Sequence, residues 1–592
     1  MMPLLMRRRS GWSLILLLLL AMSPAGAATA LFPLADVKAG MRGIGKTVFS
    51  GDRIEEFEVE ILGVLENIGP QQSLILARLS GGPIEKTGVM QGMSGSPVYI
   101  DGKLVGAVAM AFPFSKEPIA GIRPIADMLS VPDKAAPKAA IRLGDKDVLA
   151  ALPKRGEAMF GGEKMIDVAT PVSFGGFTRD TIERFSPQLR ALGLEPMQGI
   201  SGGGRVPAAM GSRSALQPGS MISVQLITGD LSIGADGTVT HIDGERVYAF
   251  GHRFLSVGST DLPFARSEVL TLLPSISSSF KISAARELMG SISQDRNTAI
   301  SGKLGSRAAM TPVSISVVHS SGKKSNYRME MVDDRFLSPF LLQMSVFSAI
   351  DATERTVGAS SFLVKGQIEF RDGAAPVKLD NMFSGDANSA MQVALSAAIP
   401  LAYVMQGGFD ALHIKQVAID IESFDQKKQF QIDHVFAGRR EARPGETIEL
   451  TVGLAGENGA LLTRKVSFPA PIGLSTGPLY FTVSDASSAN ITEFRQTIGA
   501  ALRSADQLIS TVNQLKVNTK AYVRVWRPDA AYQLQGEDYP APPPSLAMIL
   551  ARNQAGYGGL SQSFNSKLAE LEIDGGGAVI TGSKTIQVDI KE

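Results

Sequence analysis

The sequence predicts a mainly β protein: two related β-barrels followed by a C-terminal β-sandwich with a helical insertion. Three observations predict it. Phe57, Val59 and Ile61 alternate with Glu58 and Glu60, the period-2 pattern of a half-buried strand. Two separate blocks each carry an Asp-Gly pair between strand-like runs, Asp101-Gly102 and Asp243-Gly244, and Asp-Gly favours the tight type I′ hairpin. The 61 glycines and 32 prolines exceed what a helix bundle holds without broken helices.

Composition narrows the function. The 592 residues allow about four units of ~150 residues. Hydrophobic residues at 44% against charged residues at 19% support buried cores. Lys+Arg 58 against Asp+Glu 57 leaves a net charge of +1, without the basic surplus that phosphate contacts require, so nucleic acid is not an expected partner. With no cysteine, disulfides, thiol nucleophiles, iron–sulfur clusters and cysteine-based zinc sites are excluded.

Residues 1–30 read as a secretory leader. Arg7, Arg8 and Arg9 precede an apolar run from Trp12 to Met22, and Ala25-Gly26-Ala27 follows, the charged, apolar and small-residue order of a signal peptide. The run is shorter than a span of ~30 Å of hydrocarbon needs. Cleavage fits after Ala27 or Ala30, no later stretch is long and apolar enough to hold the chain in a membrane, and the expected location is periplasmic or extracellular. Residues 31–130 form the first strand-rich block, and 131–215 a linker, rich in Lys, Ala and Pro over 131–160. Within it Ile182, Phe185, Leu189 and Leu192 predict one helix over Thr178–Leu194, before the loose Gly202-Gly203-Gly204. Residues 216–390 form the second strand-rich block. In 391–592, Val417, Ile419 and Ile421 alternate, Pro444-Gly445 opens a strand with Ile448, Leu450, Val452 and Leu454 on one face, a helical insertion runs from about Ile491 to Leu515, Tyr539 to Pro544 is a proline-rich loop, and Thr585 to Ile590 closes the fold. This spacing of strands and turns is that of a β-sandwich, read as an interaction domain.

Gly40-Met41-Arg42-Gly43-Ile44-Gly45-Lys46-Thr47 matches the phosphate-loop pattern in letters. That loop needs a helix after it, whose N-terminus faces the phosphates, and Val48-Phe49-Ser50-Gly51 reads as strand and turn. Nucleotide binding is not expected. The five histidines, His241, His252, His319, His413 and His434, are scattered without a zinc or calcium pattern, so neither metal nor cofactor is expected.

The informative segment is Gly92-Met93-Ser94-Gly95-Ser96-Pro97. A serine nucleophile needs an exposed hydroxyl on a tight turn, with backbone N–H groups aimed at the developing oxyanion. Gly92 lets the chain turn so that the amides of Gly92 and Ser94 converge, and Gly95 and Ser96 leave room for substrate. The alternative is a plain Gly/Ser turn between two strands.

Val89-Met90-Gln91-Gly92-Met93-Ser94-Gly95-Ser96-Pro97, the hairpin after it and the upstream Phe57–Ile61 run resemble the SpoIVB family of sporulation serine peptidases, which is grouped with chymotrypsin-like enzymes. Tyr248-Ala249-Phe250-Gly251-His252 resembles the segment that carries that family's catalytic histidine. The resemblance implies two chymotrypsin-like barrel halves, with Ser94 as nucleophile and His252 as general base. Three departures stand out. Ser94 precedes His252, the reverse of the family's order, as in a circular permutation. The family's PDZ module is not evident. Its aspartate has no counterpart at Leu79-Ser80-Gly81-Gly82. Asp261 is the candidate third triad member, with Asp243 a poorer one because the hairpin turn already explains it. The function expected is an exported serine endopeptidase acting on protein or peptide substrates. The alternative is a non-catalytic exported binding protein on a degenerate peptidase scaffold.

Overall fold

The computed structural model describes residues 29–592 except 71, 133–156, 161–162, 200–208, 354–356, 372, 408–411, 498–503, 535–536, 541, 553–559 and 564. Residues 1–28 of the leader, residues 133–156 of the linker and the glycine run at 202–204 lie outside the described residues, and the described rest of the linker holds strands as well as its expected helix.

The first block is β1 (Arg42–Ser50), β2 (Arg53–Gly69), β3 (Gln72–Ser80), β4 (Pro97–Ile100), β5 (Lys103–Ala111) and β6 (Ile119–Pro124). They run in the order β4-β1-β2-β3-β6-β5, and pairing of β4 with β5 closes a six-stranded antiparallel barrel. The alternation in β2 does what its period dictates: Phe57, Val59 and Ile61 point inward to meet Leu79, Val98, Val108 and Ile122. Asp101 and Gly102 both adopt positive φ, as a type I′ turn requires. A short helix α1 (Ile84–Thr87) leads from β3 towards β4, and α2 (Ile125–Leu129) follows β6. Two strands, β7 (Glu157–Phe160) and β8 (Glu163–Asp167), extend the sheet beyond β5.

A β-α-β unit comes next: β9 (Thr170–Gly175), α3 (Arg179–Ala191) and β10 (Leu194–Gln198), with β10 parallel to β9. Thr178 caps α3 by accepting the Thr181 N–H at 3.2 Å, and Ile182, Phe185 and Leu189 are buried. The helix stops short of the expected Leu194 because Gly193 takes a left-handed φ of 84°, the usual helix stop, and Leu194 already belongs to β10.

The second block holds β11 (Met221–Gly229), β12 (Ser232–Asp243), β13 (Arg246–Ala249), β14 (Gly258–Leu273), β15 (Phe280–Arg296) and β16 (Ala299–Leu304). Their order β12-β13-β16-β15-β14-β11, with β11 also paired to β12, closes a second six-stranded antiparallel barrel. Its turn differs from the expectation. Asp243 pairs with Arg246, so the turn residues are Gly244 and Glu245, and only Gly244 has positive φ. That is the pattern of a type II′ turn, with glycine first.

The same sheet runs on through β17 (Met310–Val318), β18 (Lys324–Val332), β19 (Val357–Phe370), β20 (Val377–Ala387) and β21 (Ile414–Phe424), covered by α4 (Leu337–Asp351) and α5 (Ser389–Met405). The alternating Val417, Ile419 and Ile421 lie here: β21 pairs with β17 and β19 and not with the C-terminal strands.

The C-terminal strands are β22 (Gln429–Ala437), β23 (Glu441–Ala442), β24 (Thr447–Gly456), β25 (Leu461–Pro469), β26 (Gly477–Asp485), β27 (Lys520–Arg527), β28 (Ala531–Leu534), β29 (Glu537–Pro540), β30 (Leu560–Ser563), β31 (Ser566–Asp574), β32 (Val579–Thr581) and β33 (Ser583–Ile590). Sheets β25-β24-β22-β32 and β23-β33-β26-β27-β31 share one core, in which Leu450, Val452 and Leu454 meet Leu479, Phe481 and Val523. Between β26 and β27 stand α6 (Ala486–Thr497) and α7 (Ala505–Asn513), the helical insertion. The proline-rich segment at 539–544 ends β29 at Pro540 and starts α8 (Pro544–Arg552) at Pro544, places where a missing N–H does least harm.

Candidate active site

The loop between α1 and β4 is pinned from the other barrel. The Thr238 N–H donates to the Ser94 carbonyl at 2.9 Å, Thr238 Oγ1 to the Gly92 carbonyl at 2.8 Å, and Thr240 Oγ1 to the Gly95 carbonyl at 2.7 Å. Glycine is required at 95: its φ is +91°, and a Cβ would lie 2.1 Å from the Thr238 oxygen and 2.5 Å from the Phe250 nitrogen. The amides of Met93, Gly95 and Ser96 donate to the carbonyls of Met90, Val108 and Met93. Those of Gly92 and Ser94 make no backbone hydrogen bond among the described residues. The sequence names these two amides as candidate oxyanion donors, and no backbone hydrogen bond among the described residues occupies them.

Ser94 corrects one expectation. Its hydroxyl was expected on an exposed turn, yet the residue is 0% exposed and its Oγ has no hydrogen-bond partner among the described residues. The reason is the docking just described: β12 and Phe250 of the second barrel sit directly on the loop.

His252 follows β13 on a left-handed corner, with Phe250 at φ 72° and Gly251 at φ 69°. Such a φ strains a bulky side chain and marks an over-determined local structure. Gly251 faces the Val108 carbonyl and the β-carbons of Ala107 and Ala109 on β5, so the histidine corner touches the first barrel. His252 is 2% exposed, and its Nδ1 lies 2.6 Å from the Arg253 carbonyl oxygen. A carbonyl only accepts, so Nδ1 carries the proton and Nε2 is the basic nitrogen. The two catalytic candidates therefore sit on loops that two barrels press together. Asp261 stands exposed on β14, its Oδ2 accepting the Ala309 N–H at 2.9 Å. Asp243 is exposed at the end of β12.

Residues 27–126 match the family model described as SpoIVB peptidase S55. The first barrel is of the SpoIVB peptidase family. Neither a curated protein nor a solved structure matches the chain. The matched stretch carries Gly92 and Ser94 and ends before the barrel that carries His252.

Two features around this SpoIVB-type barrel escape sequence reading. Asp295 on β15 is fully buried and organises the loop after His252: its carboxylate accepts the N–H groups of Phe254 at 2.8 Å, Leu255 at 2.7 Å and Val257 at 3.3 Å. Burial pushes its pKa up, while those amide bonds pull it down. The second feature is a buried polar cluster below the Ser94 loop. Lys281 on β15 is 0% exposed and donates from Nζ to Thr47 Oγ1 at 2.7 Å; Ser96 Oγ donates to the same Thr47 oxygen at 3.1 Å. The Lys281 stem passes beside Gly92, within 3.3 Å of where a Cβ would stand. Asp236 on β12 accepts from Ser283 Oγ at 2.7 Å. Burial lowers the Lys281 pKa to about 7, against the pull of Asp236. Burial likewise raises the Asp236 pKa to about 6, opposed by hydrogen bonds from Ser223 and Ser283 and by the Lys281 charge. The sole sequence signal for this cluster was a lysine inside an apolar strand run, Phe280-Lys281-Ile282.

The remaining candidates are placed plainly. The Gly40–Thr47 run is a turn and strand β1, followed by β2 and not by a helix, so the setting of a phosphate loop is missing. His241 is buried and stacked on Tyr248, and burial lowers its pKa. Among the described residues no three His, Asp or Glu side chains cluster as a metal site, and no helix is long and apolar enough to cross a membrane.

Proposed function

We propose that the chain is an exported serine endopeptidase whose two barrels are chymotrypsin-like halves in permuted order. Ser94 Oγ attacks the scissile carbonyl carbon while His252 Nε2 takes the hydroxyl proton. The C–N bond then breaks, the imidazolium returns that proton to the leaving amine, and water hydrolyses the acyl-serine by the reverse relay. The amides of Gly92 and Ser94 hold the oxyanion. The Arg253 carbonyl fixes the imidazole tautomer from behind, the position in which a triad carboxylate acts, so the reading is a Ser94/His252 pair, and mutation of Asp261 tests whether a carboxylate joins it. The observation that carries this reading is the seam itself: the Ser94 loop, with two amides left available, is hydrogen-bonded to β12, the strand paired with β13, which leads into the His252 corner. The leader at residues 1–30 supports export, and the C-terminal sandwich is read as the interaction domain.

Complete burial of Ser94 favours one rival, a binding protein in which the serine is a structural remnant. On the peptidase reading, the same burial means that the seam must part before substrate enters. A fluorophosphonate probe separates the two. Purified wild type should label at Ser94 and cleave some denatured protein in a broad panel, and Ser94→Ala and His252→Ala should each abolish both. Folded wild type that neither labels nor cleaves anything gives the site to the binding protein.

A further inference from the structure

A cavity of about 560 Å³ opens beside the Ser94 loop, lined by Gln91, Ser173, Met197, Ser278, Phe280 and Ile282, among others. Its size is that of a ligand site. Three properties say what fits it. Gln91 comes immediately before Gly92, so the cavity abuts the oxyanion turn. Gln91 is 6% exposed, with Nε2 bonded to Ser278 Oγ at 2.9 Å, and its Oε1 accepts no hydrogen bond among the described residues. A buried acceptor without a donor is costly, and a turn of the Gln91 side chain that brings Oε1 to the cavity lets the N–H group of an occupant remove that cost. One wall is β10, the terminal strand of its sheet, paired on one side to β9 with its other edge unpaired among the described residues. An unpaired edge is a template for an added strand, giving main-chain hydrogen bonds and pockets for alternate side chains.

We propose that this cavity is the substrate-docking subsite: an extended polypeptide lies along β10, donates a backbone N–H to Gln91 Oε1, and seats an apolar side chain against Met197, Phe280 and Ile282. The inference rests on the peptidase reading and adds the substrate class, an unfolded or extended segment with an apolar residue near the cut. The recognition strand belongs to neither barrel. It comes from the β-α-β unit between them, so the segment joining the barrels selects what they cut.

The test uses the full chain with two probes, a small fluorophosphonate and fluorogenic octapeptides varied in one apolar position. Met197→Trp fills the cavity, and Ser277→Trp, on the exposed hairpin tip, narrows its mouth without touching the core. Each folded variant should raise KM at least tenfold for the apolar peptides, with fluorophosphonate labelling within twofold of wild type. Unchanged peptide KM in both folded variants overturns the docking site while leaving Ser94 chemistry standing. Should wild type fail to label, the peptidase reading falls alone: octapeptide binding, followed by fluorescence anisotropy and lost in Met197→Trp, retains the cavity as a peptide site, and absence of binding overturns it.

Discussion

Lys281 Nζ of the second barrel reaches Thr47 Oγ1 of the first across 2.7 Å, with both residues at 0% exposure. A buried ammonium thus crosses the seam beneath the Ser94 loop, and the same threonine oxygen accepts from Ser96. The cation and its Asp236 partner make stability depend on pH in a way that can be signed. The Lys281 pKa of about 7 lies below the ordinary 10.5. Between those values the unfolded chain holds a proton that the folded chain has lost, so stability rises with pH, by at most about 1.4 kcal/mol per unit. Asp236, at about 6 against 3.8, acts oppositely: the folded chain keeps the proton longer, and stability falls as pH rises from about 4 to 6. Urea midpoints of wild type should therefore gain on those of the Lys281→Met/Asp236→Asn double variant from pH 7 to 9.5. Parallel curves over that range would falsify the assignment.

Ser94→Ala deletes a buried hydroxyl that has no partner among the described residues. Folding stability should stay within about 1 kcal/mol of wild type, since no hydrogen bond is lost, while labelling and cleavage disappear. In wild type, labelling is expected to saturate with probe concentration, because opening of the seam precedes the encounter. A Ser94→Ala melting temperature many degrees below wild type would mean that the hydroxyl holds the fold.

Asp261 is exposed and already bonded to the Ala309 amide, whereas the Nδ1 of His252 is engaged by a carbonyl. Asp261→Asn should leave kcat within a few-fold of wild type. A fall on the order of 10⁴, the size seen when the triad carboxylate is lost, restores Asp261 to the triad.

Asp295→Asn replaces a carboxylate that accepts three loop amides with a group offering one acceptor oxygen. The loop carrying His252 should loosen, with stability reduced by on the order of 2 kcal/mol and kcat reduced more than KM is raised. Calorimetry together with steady-state kinetics checks this. Wild-type values for both would remove Asp295 from the support of the site.

Much of this architecture is legible in the chain. The period-2 run in β2 points Phe57, Val59 and Ile61 inward, and the Asp101-Gly102 pair sets a type I′ turn because both residues tolerate positive φ. The Ser94 loop is legible because Gly92 and Gly95 supply the positive φ that the turn takes on either side of the serine. What is illegible has physical causes. Helix α4 is buried on nearly every side, so it shows no apolar stripe to betray its period. β21 reads as a strand but does not say which neighbour it joins, because alternation fixes a face and not a partner. Lys281, Asp236 and Asp295 matter through burial, which arises only when distant strands close. Burial of Ser94 is likewise a property of the seam and not of its own loop.

That seam is built in a fixed order. The strands of the first barrel are complete at Pro124, but Thr238, Thr240 and Phe250, which roof Ser94, come off the ribosome later by on the order of ten seconds. During that interval the nucleophile loop has no roof, so a growing chain passes through an open stage that the finished protein has closed. A released chain that ends at Val131 holds that stage still, and Ser94 in it should be open to solvent with no histidine beside it.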